Sequence, residues 1–319
     1  MILDFIEGHL DGDSWENLCD SCYRMRYQDE HYQKVQAILG GDSGIEGFTR
    51  TGVVYQCYCP ERDYKDEELY NHLRDKMTKD IGKLVKVDYA KRLKSLGINE
   101  IKEWHFVIPQ YKDPRIIQHA ETKRKDVLLL KNSNPHQYDY IHDDFAVIVK
   151  VAEDFRIELT RIIRTNLSDV KLNLAIHHDG NVDWSKCTSE KTENIKRKVK
   201  AVMNIASEDD EDYKEVVSIY TEAYIKGIEI LKNLRISYTE VYEDIFLLEQ
   251  AYKREVSIKT RTNTNSSINS QLFYEIMDDF ENKLKVEFSK YLSLSSIMEL
   301  KLDLISGWLA DCSMQFRSR

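Results

Sequence analysis

The sequence predicts an α/β amino-terminal domain, built as a mixed central sheet flanked by helices, followed by an all-α carboxy-terminal domain. Three observations predict it. Short β-branched and aromatic runs, residues 53–58 and 101–109, are bounded by glycine or proline and separated by a long stretch of helical periodicity. From about residue 156 strand signals fade and amphipathic helical patterns take over. Only 12 glycines and 4 prolines occur in 319 residues, so long segments run without a helix breaker. The boundary is set between 1–155 and 156–319.

The amino-terminal elements follow in order. Residues 11–30 read as a helix capped by Asp13 or Ser14, with Trp15, Leu18, Cys19, Cys22 and Tyr23 as its apolar stripe. Residues 31–39, HYQKVQAIL, form the first core strand and lead into a glycine-rich turn. The run 53–58 is a strand that Pro60 ends, because proline cannot donate to the ladder. Alternation puts Val54, Gln56 and Tyr58 on one face and Val53, Tyr55 and Cys57 on the other. Residues 66–96 carry Leu69, Leu73, Met77, Ile81, Leu84 and Val85 at helical spacing, with lysines between them. Those lysines are either a solvated face or a surface for phosphates. Residues 101–109 are the next strand, reached by a crossover helix. Residues 114–131 are a helix with Pro114 at or near its first position and a second basic cluster, Lys123, Arg124 and Lys125. Residues 133–142 read as a loop, and 145–155 as either strand or helix.

The second half reads as successive helices joined by polar connectors. His177-His178-Asp179 lies in one connector. Adjacent histidines on a strand point to opposite faces, so chelation by this run is not expected. Residues 260–270, TRTNTNSSINS, read as a mobile polar linker with no core capacity. The apolar terminal helix with Trp308 and Leu309 is either core or a docking helix.

A chain that is 42% hydrophobic and 32% charged can bury a core and stay in solution. Its net charge of −9 argues against a generally basic nucleic-acid coat but leaves local patches open. No apolar run approaches the roughly 18 residues needed to span a bilayer. The acidic start, MILDFIEGHLDGD, lacks the basic region of a signal peptide. Six cysteines in a chain this long do not make a disulfide framework, so a cytoplasmic location is expected. Cys19-x-x-Cys22 and Cys57-x-Cys59 could meet around zinc, although the first pair sits in a helix, which favours free thiols.

The chemistry concentrates in residues 40–61, GGDSGIEGFTRTGVVYQCYCPE. The turn carries two acids, Asp42 and Glu46, and the strand beside it carries Gln56. Oxygen-bearing side chains that converge where glycines keep the backbone open suit a hard cation such as Mg²⁺. Glu16, in the first turn of the preceding helix, either faces that point or is an ordinary exposed acid.

Gly40-Gly41-Asp42-Ser43-Gly44-Ile45-Glu46-Gly47, followed by Gln56-Cys57-Tyr58, resembles the core of the PD-(D/E)xK restriction-endonuclease-like superfamily, most closely its Mrr-like branch. The resemblance covers roughly the first half of the chain. It implies a metal-dependent DNA endonuclease that hydrolyses phosphodiesters with Mg or Mn. Glu46 and Asp42 would hold the metal, Gln56 would occupy the second ligand position, and Glu16 would support the site. Tyr58 stands where the family has a lysine. A lysine of the 66–96 helical region, Lys79 or Lys76, would then take that role. The departure at Tyr58, with the acidic charge, supports the alternative of an inactive nuclease fold serving as a scaffold subunit. Residues 305–312 resemble tails of accessory subunits in bacterial ATPase-linked defence systems. That implies anti-phage defence, with a protein partner, an ATPase subunit among the candidates, bound through the helical half. A homo-oligomer is a further alternative, and no membrane partner is expected.

Overall fold

The protein is described from a computed structural model covering residues 2–8, 10–35, 44–86, 89–174 and 183–317. Two compact units emerge: Gly8–Ile162, and Ile163–Arg319 together with Met1–Glu7. The units divide after Ile162, within a helix, rather than after residue 155, and the first residues are counted with the carboxy-terminal unit.

The first unit is a five-stranded mixed sheet with helices. Its elements are α1 (Gly12–Arg26), β1 (Gln33–Lys34), β2 (Gly47–Phe48), β3 (Val53–Cys57), α2 (Asp66–Leu84), α3 (Tyr89–Ser95), β4 (Ile101–Ile108), α4 (Arg115–Ser133) and β5 (Ile141–Val151). The strand order is β1-β2-β3-β4-β5, with β1, β2 and β3 antiparallel and β4 and β5 added parallel to β3. The parallel joins need crossovers, which α2 with α3 and then α4 supply. Val54, Trp104, Phe106 and Ile108 pack with Leu73, Met77 and Ile81 of α2 and Ile116 and Val127 of α4. On the opposite face Tyr55 stacks on Tyr23 of α1 at 3.9 Å, and the Trp15 indole donates to the Val107 carbonyl at 3.3 Å. Cover on both faces buries β4 continuously from Trp104 to Ile108. One buried exception is His105, whose Nδ1 lies 2.7 Å from the Tyr23 hydroxyl and whose Nε2 lies 2.7 Å from Glu103.

Several sequence expectations shift for physical reasons. The α1 cap is Asp11, whose carboxylate accepts from the Ser14 amide at 2.8 Å, so Asp13 and Ser14 are already in the first turn. The helical region 66–96 is two helices, and the Leu84 carbonyl at the end of α2 accepts from the Tyr140 hydroxyl. The segment 145–155 belongs to strand β5 as far as Val151, because Phe145 is buried and residues 146–151 pair with β4. Within the expected strand 31–39, Gln33–Lys34 pair with β2, and residues 36–39 lie outside the described residues.

The second unit contains α6 (Ser189–Met203), α7 (Glu211–Ser237), α8 (Thr239–Thr262), α9 (Asn269–Phe288) and α10 (Leu294–Ala310), preceded by α5 (Arg156–Arg164). The helix α10 packs against α6, α7 and α9. Trp308 is fully buried between Phe280 and Tyr252, and its indole donates to Glu249 at 3.0 Å, so the terminal helix is core. The supposed linker 260–270 comprises the end of α8, a short connection with one 3-10 turn (Ser266–Ile268), and the start of α9. Thr260 and Asn269 are buried, and the Asn269 amide donates to the Ala201 and Arg317 carbonyls. Polar side chains there satisfy backbone carbonyls, which is how a polar stretch joins a core.

Two buried ionisable groups stand out in this unit. The Lys198 ammonium donates to the carbonyls of Trp308, Leu309 and Asp311, closing the carboxy end of α10. Replacing it by methionine keeps the stem and removes the donors. Lys198→Met is expected to cost about 3 kcal/mol in a denaturant titration, since buried carbonyls lose charged partners. Asp303 of α10 packs so closely on Gly227 of α7 that a Cβ there would meet its own Cβ at 2.8 Å. Its two carboxyl oxygens have no hydrogen-bond partner among the described residues, and burial pushes its pKa up to about 8.

Candidate functional site

An open cleft of about 530 Å³ lies within the first unit, where the start of α1 meets the end of β3. Asp11, Gly12, Asp13 and Glu16 come from α1 and its cap, Gln56 to Cys59 and Glu61 from β3 and its exit, and Lys76 from α2. Glu46 enters from the turn ahead of β2.

The backbone fixes Glu46. Its amide donates to the Tyr55 carbonyl and its carbonyl accepts from the Val35 amide, both at 2.7 Å. The antiparallel register pairs Gly47 with Tyr55, so the next pair outward sets Glu46 opposite Gln56, with both side chains on one face. Glu46 and Gln56 therefore meet although ten residues separate them. The Gln56 amide donates to Glu46 Oε1 at 2.5 Å and to the Cys57 carbonyl at 3.2 Å. Gln56 Oε1 is buried and has no hydrogen-bond partner among the described residues. Two glycines hold this corner open. A Cβ on Gly47 would meet the Tyr32 hydroxyl at 2.6 Å. Gly44, at φ +79°, would meet the Asp80 carbonyl at 2.8 Å.

Glu16 lines the cleft and pairs with Lys34 of β1 at 3.0 Å. Burial pulls the Lys34 amine down, but the bond to Glu16 and the fields of Glu16, Asp20 and Glu46 outweigh it and leave the amine above its ordinary value. Asp42 lies outside the described residues. Lys79 does not join the others: it is exposed and absent from the cleft lining. At 3.6 residues per turn it sits roughly 60° farther round α2 from the buried stripe than Lys76. Lys76 is the helix lysine in the cleft, with Nζ 2.8 Å from Asp80 and 5.9 Å from the centre of the Tyr58 ring. The fully buried Asp80 carboxylate is held on its other side by Lys83 at 2.9 Å. Burial, with Tyr64 and Glu61 nearby, raises the Tyr58 hydroxyl, so it stays neutral and brings no charge to the cleft.

Sequence reasoning missed Lys34, Asp80 and the contribution of Asp11, Asp13 and Glu61. Asp80 had a signal: an acid on the apolar stripe of a helix, with lysines four residues before and three after. Lys34 gave none, because its place depends on the β1–β2 register. The basic cluster Lys123, Arg124 and Lys125 pairs with Glu121 and Asp126 on its own helix. Cys19 meets Cys57 across α1 and β3, and burial first and Cys57 second push the Cys19 thiol far up, so it is a neutral core group. The triplet 177–179 lies outside the described residues. Among the described residues no group of three or more His, Cys, Asp or Glu side chains is arranged to hold a metal ion.

The cleft thus combines five acids, one buried amide and one lysine. An excess of carboxylates attracts cations, and an orphaned amide oxygen beside a carboxylate is suited to a hard one. No protein-family model, no curated protein and no solved structure matches the chain.

Proposed function

We propose that the first unit is a metal-dependent endonuclease acting on DNA, with the restriction-endonuclease-like core that its glycine turn resembles. The observation that carries the reading is the convergence of Glu46 and Gln56 across β2 and β3, with the Gln56 oxygen buried and without a hydrogen-bond partner among the described residues. The element order α1-β1-β2-β3-α2-α3-β4 supports it, as does the parallel addition of β4 to β3.

Glu46 and Gln56 fit a Mg²⁺ or Mn²⁺ ion as oxygen ligands, since Mg²⁺ keeps several waters and needs only one or two carboxylates. The ion would polarise the scissile phosphate and lower the pKa of a bound water. The chain's own groups would do the rest. Glu46 holds negative charge at the centre, and Gln56 turns its oxygen inward. Lys76 offers a cation on the opposite wall, where it steadies a phosphate oxygen. Asp80 keeps that lysine aimed, and Tyr58 donates a hydrogen bond without charge. Glu16, already paired with Lys34, stands at the rim.

Plasmid cleavage with Mg²⁺ or Mn²⁺ tests the reading. Lys76→Ala is expected to slow nicking by about 10- to 100-fold, the scale of one lost charged contact to the transition state. Lys79→Ala is expected to leave it unchanged. Equal loss in both would point to a diffuse basic surface rather than a positioned lysine. Tyr58 favours a second reading, an inactive nuclease fold used as a scaffold. Absence of cleavage together with absence of metal binding by calorimetry would select it.

A further inference from the structure

The strand β5 is the last of its sheet, and among the described residues its outer edge pairs with nothing. A bulge between the partners of Ile101 and Glu103 sets residues 142–145 out of the ladder, and regular pairing with β4 resumes over residues 146–151. That regular stretch reads Ala-Val-Ile-Val-Lys-Val, and each of its side chains is only partly buried. A bare edge of this composition is a template for another strand.

The charges flanking this edge indicate what covers it. Asp144, 94% exposed, stands at one end and Lys150 at the other. We propose that two copies of the chain pair β5 edge to β5 edge, antiparallel about Ile148, to form a two-fold dimer with one continuous sheet. In that register Val147 faces Val149, Ile148 faces itself, and Lys150 faces Ala146 of the second copy. Lys150 then lies diagonally next to Asp144 of the second copy, within reach of a long side chain. The dyad repeats the charge pair, and an interface of this kind is self-complementary. Asp143 is already held by Lys131, while Asp144 has only the neighbouring His142 ring at 4.0 Å and keeps its carboxylate exposed for this contact. The inference does not depend on the nuclease reading.

The test uses the full chain with Cys187 and Cys312 replaced by serine. Light scattering is expected to give the mass of a dimer at micromolar concentration. Ile148→Cys is expected to form a disulfide-linked dimer on mild oxidation, since directly opposed residues sit within disulfide range. Val149→Cys, facing Val147, is expected to cross-link far less. Lys150→Asp sets like charges on the diagonals and is expected to weaken the dimer about tenfold, with Asp144→Lys added to it restoring association. Circular dichroism checks that each variant is folded. A monomer at every concentration would overturn the proposal. So would a dimer that Ile148→Cys fails to link, or one indifferent to the charge reversals, because its interface would lie elsewhere.

Discussion

Glu46→Ala is expected to abolish metal-dependent cleavage, with a loss of at least about a hundredfold, because a metal contributes several kcal/mol of charge stabilisation at the phosphate. Among the described acids of the cleft Glu46 is the one that also bonds Gln56, and its backbone is pinned by Val35, just past β1, and by Tyr55 of β3. The substitution removes a carboxylate without touching those amide bonds, so the sheet should survive. The measurement is nicking of supercoiled plasmid in Mg²⁺, paired with a thermal melt of the same preparation. Calorimetry with Mn²⁺ gives a second readout, in which wild type binds and the variant does not. Cleavage that persists in a folded Glu46→Ala protein would remove Glu46 from the reaction and leave the cleft as a surface feature. The same experiment on Glu16→Ala is expected to show a smaller effect, since Lys34 already neutralises that acid.

Asp303→Asn is expected to stabilise the protein by about 2–4 kcal/mol at pH 8 and by almost nothing below pH 4. The folded state holds this carboxyl protonated up to about pH 8, chiefly because it is buried, with Glu299 adding to the effect and Lys226 opposing it. In the unfolded chain the same group ionises near 3.8. Below that value both states carry the proton, and the full stability is present. Between the two values the folded state binds more protons, so stability falls as pH rises, and the loss is complete above about pH 8. A rise from 3.8 to about 8 sets a ceiling of roughly 6 kcal/mol, which rehydration of the ionised side chain reduces. The amide is nearly isosteric and cannot ionise, so it removes the slope. Urea titrations at pH 4, 6 and 8 decide the matter. Parallel pH profiles for the two proteins would show that Asp303 is solvated after all.

The fold was legible where local chemistry and tertiary context agree. The strands at 53–57 and 101–108 are β-branched and aromatic, and they stayed strands because helices cover both faces. That Glu46 and Gln56 meet was legible too, because they belong to one hairpin-like segment whose register follows from alternation. Lys79 was misread because the lysines of α2 look equivalent in sequence. Which of them turns toward β3 is set by how Leu73, Met77 and Asp80 pack beneath the helix. Residues 145–151 were ambiguous because a partly covered edge strand has no strict alternation. The polar run at 260–270 misled for another reason. Its buried asparagine donates to distant carbonyls and its buried threonine accepts from the Gln315 amide, and composition carries no record of a partner 68 residues away.

The first residues make a demand on synthesis. Ile2 and Phe5 are buried in the helical unit, where the Tyr238 hydroxyl donates to the Ile2 carbonyl and its ring meets Phe5 edge-on. That contact spans 236 residues of chain. At about 5–20 residues per second the ribosome delivers Tyr238 some 10–50 s after Ile2. The leading segment therefore waits with its apolar side chains uncovered while the sheet unit emerges and can fold. A holdase acting on nascent chains has that interval in which to bind.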